Sequence, residues 1–104
     1  MSTIRPAAVA GAFYPGDPAA LMREVRQHLH DARSPAGDAR PPKAIIVPHA
    51  GYVYSGPVAA SAYARVAPLR GTISRVVLAG PAHRVHVRGV AIPQARAFAT
   101  PLGE

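Results

Sequence analysis

Two apolar runs organise the chain: residues 43–47 (Lys-Ala-Ile-Ile-Val) and 75–79 (Arg-Val-Val-Leu-Ala), each followed by a turn that carries a histidine, His49 and His83. Neither run alternates polar with apolar positions, which is the pattern of strands buried on both faces of a parallel sheet. The stretch between them predicts a helix from Ser55 to Ala67, with Ser55 or Gly56 as its cap, Pro57 in its first turn and Val58, Ala62 and Val66 as its buried stripe. The interval from His49 to His83 has the length of one βαβ unit. That topology sets the two strands side by side, with both histidines at the sheet edge where open α/β folds bind ligands.

The remaining pattern completes a βαβ-type, mostly parallel α/β fold flanked by helices. A first helix runs from Asp17 to about Arg33, with Asp17 as N-cap, Pro18 in the first turn and Leu21, Val25 and Leu29 on one face beside Met22. Residues 7–15 read as an extended arm, residues 34–42 as a short polar linker, and residues 89–93 as a third strand. No internal repeat is present.

Composition narrows the classes. With 104 residues the chain is one domain at most, and by surface scaling it buries only roughly two-thirds of its unfolded surface. The net charge of +7 comes from 12 Lys and Arg against 5 Asp and Glu. The arginines are dispersed, from Arg5 to Arg96, without a basic run interleaved with aromatics, so nucleic acid is not the expected partner. There is no cysteine, hence no disulfide. No stretch approaches the ~20 apolar residues of a membrane span, and no signal peptide is evident, so a cytoplasmic protein is expected.

Five histidines carry the candidate chemistry. His49 follows Pro48, where strand pairing stops, and is open to two readings: a cleft-facing metal ligand, or a ring bonded to a nearby carbonyl. His83 has the same two readings. Two imidazoles make a sensible half-site for iron, copper or zinc. His86 is either a weak third ligand or acid–base group, or a loop histidine facing water. His28 and His30, two apart on a helix, point in different directions and read as solvated. Tyr54 and Tyr52 alternate, so one faces the cleft, where a phenol donates a hydrogen bond, while the other packs inward. Arg84 is placed to meet a carboxylate or phosphate, or else water.

Four ordered motifs carry a resemblance: Arg5-Pro6-Ala7 with Ala10-Gly11-Ala12-Phe13-Tyr14-Pro15, PHAGYVYSG at 48–56, GPAH at 80–83, and Thr100-Pro101-Leu102-Gly103. They resemble the N-terminal portion of the Memo-like family, also called AmmeMemoRadiSam system protein B, which is similar in fold to class III extradiol dioxygenases. The resemblance spans residues 1–104 but less than half of the family's domain, implying the N-terminal fragment of a larger single domain. A fragment exposing sheet edge and apolar surface is expected to self-associate.

The resemblance implies a metal-dependent redox enzyme in which His49 and His83 hold iron or copper, zinc being the third candidate. In the family a cysteine from the C-terminal portion joins the two histidines, whereas related dioxygenases use a carboxylate; neither partner is in this chain. Tyr54 and His86, read from their positions beside the two histidines, are the candidate catalytic side chains. The family commonly has serine where this chain has Ala82, which removes one hydroxyl beside His83. A module that binds phosphorylated peptides in the same cleft is the alternative, as is an inactive fragment. The family name also implies association with radical-SAM and AMMECR-type proteins.

Overall fold

Asp17 and Pro18 start the first helix as their chemistry dictates. In the computed structural model, which describes residues 3–32 and 40–104, the Asp17 carboxylate accepts the Ala20 N–H at 2.8 Å and Pro18 opens α1, Pro18–Asp31. The Ala32 N–H closes the last turn on the His28 carbonyl. Leu21 is buried, at 3% exposure, and Val25 half-buried, while Met22 and Leu29 stay exposed. The inward face also takes in Glu24 and His28, so His28 is not the solvated residue that its helix position suggested.

The second helix begins earlier than expected. α2 spans Tyr52–Tyr63, with Gly51 rather than Ser55 at the N-cap, and Pro57 lies inside it. The Tyr52 N–H bonds the Phe13 carbonyl at 2.7 Å, and this anchor fixes where the helix starts. Its buried residues are Ser55 and Ala60, while Val58 faces outward. Of the expected stripe only Val58 is exposed, Ala62 and Val66 being half-buried; the packed face also takes in Tyr52, Gly56 and Ala59, while Tyr63 is exposed. α1 and α2 pack closely: a Cβ on Gly56 would lie 2.7 Å from the His28 Nε2, so only glycine admits the ring there.

The segment before α1 is a compact turn, not an extended arm. Ala12 and Phe13 both donate to the Val9 carbonyl, Gly11 donates to Tyr14 at 2.8 Å, and Gly11 holds φ at +81°. After α2 a 3₁₀ turn, Ala67–Leu69, ends at Arg70.

The fold is α/β with a small parallel sheet, but its strands are not the apolar runs. β1, Ile4–Arg5, pairs with β2, Ala97–Phe98, in parallel register Ile4↔Ala97 and Arg5↔Phe98. The Arg5 guanidinium lies 5.1 Å from the Phe98 ring centre. Residues 43–47, 75–79 and 89–93 form no ladder among the described residues. The reason is physical: a fully apolar strand is stabilised by neighbours on both faces and both edges, and these segments have one covered side at most. Ile45 and Val47 are half-buried, whereas Ile46 and Val77 are 100% and 96% exposed. The radius of gyration, 15.3 Å, exceeds the roughly 13 Å of a close-packed chain of this length. The expected linker at 34–42 falls largely outside the described residues.

Candidate metal centre and adjoining cleft

The turn after residues 43–47 is held from behind. Pro48 ends any pairing, and the Ala50 N–H donates to the Ser55 hydroxyl at 2.8 Å across the start of α2. Ser55 is almost fully buried, so this bond works in a site where water competes poorly. It sets the backbone directly after His49. The second histidine arrives on the turn after residues 75–79.

The two rings meet. His49 Nε2 and His83 Nε2 are 3.2 Å apart, with ring centres 5.2 Å apart and planes inclined at 34°. Both residues are solvent-exposed. One N–H and one bare nitrogen at that separation form a hydrogen bond. The distance also equals the spacing of two nitrogens on one metal ion: with bonds of about 2.0–2.1 Å and an angle near 90–110°, they lie about 2.9–3.4 Å apart. The pair fits as two donors of a metal site, and among the described residues no group of three His, Cys, Asp or Glu side chains completes it.

The other candidates lie elsewhere. Tyr54 is 79% exposed on the first turn of α2 and borders a hollow of about 490 Å³ that it shares with Glu24 and Tyr52. His86 is exposed, with no hydrogen bond to either central histidine among the described residues. Arg84 is exposed as well.

Sequence reasoning missed His28. Its ring lines a cavity of about 550 Å³ between the helices and the His49 turn, together with Phe13, Tyr14, Tyr52 and His49, and its Nε2 stands 3.4 Å from the Glu24 carboxylate. The signal was present: position 28 is two helical turns beyond Leu21, on the same face. Tyr52 packs on Tyr14 at 5.5 Å between ring centres. Burial holds the Tyr52 phenol above its ordinary 10.0, and Tyr14, Glu24 and Tyr63 add to the effect because an anion there would face their negative charge.

A profile of the Memo-like protein family matches residues 5–104. MEMO1 family protein MTH_45 of Methanothermobacter thermautotrophicus is 46% identical over 105 residues, covering 96% of this chain and 38% of the relative. Protein MEMO1 of Danio rerio is 41% identical, covering 94% and 31%. The memo-1 homolog of Caenorhabditis elegans is 38% identical, covering 96% and 27%. The chain thus spans well under half the length of these curated relatives. No solved structure matches. No helix among the described residues is long and apolar enough to cross a membrane.

Proposed function

The chain belongs to the Memo-like family, and from that premise we propose that His49 and His83 hold an iron or copper ion, with zinc the third candidate, in a metal-dependent redox protein related to class III extradiol dioxygenases. The observation that carries this reading is the 3.2 Å approach of the two Nε2 atoms, the bite expected of paired imidazole ligands. When bound, iron or copper would supply Lewis-acid and one-electron redox capacity that no side chain here has, whereas zinc would supply Lewis acidity alone.

The protein's own groups orient and gate. Ser55 fixes the backbone behind His49 through the Ala50 N–H. The aromatic cleft of Phe13, Tyr14 and Tyr52 beside His49 offers apolar contact to a small organic substrate. Tyr54 would offer a hydrogen-bond donor from the adjoining hollow that it shares with Tyr52, and His86 an acid–base group from the turn after His83. A further metal donor would come from the part of the family's domain that this chain does not span.

Elemental analysis and titration of the purified protein beside the His49→Ala/His83→Ala variant test the proposal. Stoichiometric iron, copper or zinc in the parent and none in the variant supports it. Equal, substoichiometric metal in both refutes it. Phosphopeptide binding that survives in the variant would favour the peptide-binding alternative.

A further inference from the structure

The hollow of about 490 Å³ beside the start of α2 is built differently from the cavity that holds His49. Four aromatic side chains, Phe13, Tyr14, Tyr52 and Tyr54, line it together with one carboxylate, Glu24, and none of its lining residues is Arg, Lys or His. Tyr14 and Tyr52 are half-buried, with ring centres 5.5 Å apart and planes inclined at 45°, whereas Phe13 and Tyr54 are exposed and form the rim. The bond from the Tyr52 N–H to the Phe13 carbonyl ties the two main contributing segments, the turn before α1 and the first turn of α2, to one another.

Charge selects the ligand. The chain as a whole carries +7, yet the one formal charge lining this hollow is negative. Glu24 Oε1 faces the His28 Nε2 at 3.4 Å, and Oε2 has no partner among the described residues. Burial, then Tyr14, then Glu24 hold the Tyr52 phenol above its ordinary 10.0, so the field of the carboxylate reaches that ring. The start of α2 opposes a cation only weakly: the N–H groups of Tyr52, Tyr54 and Ser55 are already taken by the Phe13 and Gly51 carbonyls, and a helix end carries roughly half a charge against the full charge of Glu24. Aromatic faces are negative, and several of them around one carboxylate suit a weakly hydrated organic cation. A hard metal ion would demand more oxygen ligands than a single carboxylate supplies. We propose that this hollow binds a methylated ammonium group, carried either by a small quaternary amine or by a methylated lysine side chain. The volume leaves room for the chain that bears the head group and falls in the range of small-molecule sites. Binding here does not depend on metal at His49 and His83.

The test titrates the chain, with a chelator present, with choline and with dimethylbutanol, its uncharged carbon isostere, and follows the tyrosine ring signals by NMR. Choline should shift the Tyr14, Tyr52 and Tyr54 rings and bind about tenfold more tightly than the alcohol. Tyr54→Leu and Glu24→Gln should each weaken choline binding about fivefold with the helical circular dichroism unchanged, while Tyr54→Phe, which keeps the ring, should bind as the parent does. If a variant loses its helical signal, the comparison of choline with the alcohol on the parent decides. A peptide bearing one trimethyl-lysine separates the sources. Affinity no better than that of choline assigns the site to a free amine; affinity about tenfold better, lost in the unmethylated peptide, assigns it to a methylated protein. No ring shift with choline or the peptide, equal affinity for the alcohol, or binding indifferent to both Tyr54→Leu and Glu24→Gln would overturn the proposal.

Discussion

The Ser55 hydroxyl accepts the Ala50 N–H at 2.8 Å, so one turn of α2 is tied to the backbone immediately after His49. Ser55→Ala leaves that N–H without its partner behind a buried side chain. The expected loss is about 1–3 kcal/mol in denaturant unfolding. Titration with a divalent metal should show weaker uptake in this variant while both histidines remain. Ser55→Thr, which keeps the hydroxyl, should recover part of the affinity; equal affinity in the parent and Ser55→Ala would show that the tie does not position His49.

Gly56 and His28 should couple. On helix propensity alone, Gly56→Ala in the interior of α2 gains about 1 kcal/mol. The Cβ, however, would meet the His28 Nε2 at 2.7 Å and push the ring out of its place beside Glu24. Gly56→Ala is therefore expected to be neutral or destabilising, and to become stabilising by about 1 kcal/mol in a His28→Ala background. A double-mutant cycle by urea unfolding measures this, and additive effects would refute the contact.

Tyr52 gives an alkaline signature. Because its pKa is raised in the folded state, the native protein keeps the phenolic proton longer than the unfolded chain does. Its contribution is fully present below the ordinary value of 10.0 and is lost as pH rises through the higher folded value. Thermal unfolding followed from pH 8 upward should show a fall in stability above about pH 10. Tyr52→Phe should flatten part of that fall.

Asp17 offers the simplest check on α1. Asp17→Ala removes the acceptor of the Ala20 N–H and should cost about 1 kcal/mol. Asp17→Asn should cost much less, since the amide oxygen also accepts.

α1 was legible because its signals are local: a capping carboxylate, a first-turn proline and a four-residue apolar repeat all act within a few residues of where they are written. The meeting of His49 and His83 was expected from two similar apolar runs set side by side; the rings do approach, although the runs form no ladder among the described residues. The start of α2 was hidden, because Gly51 caps it with no side chain and the anchor is the distant Phe13 carbonyl. Strand pairing was the least legible. Which runs form ladders depends on neighbours far along the chain, and Ile4–Arg5 with Ala97–Phe98, two residues each, carry no recognisable pattern.

That short pairing bears on the order in which the protein assembles and comes apart. β1 and β2 close a loop of about ninety residues, a closure that costs about 4 kcal/mol in chain entropy. Two register pairs and one cation–aromatic contact offset little of that, so the ladder is a clasp that depends on the rest of the fold to hold its halves close. It should also be the first element to open. Amides of Arg96 and Ala99, bonded to the Thr3 and Arg5 carbonyls, should exchange with solvent well before those in the middle of α1.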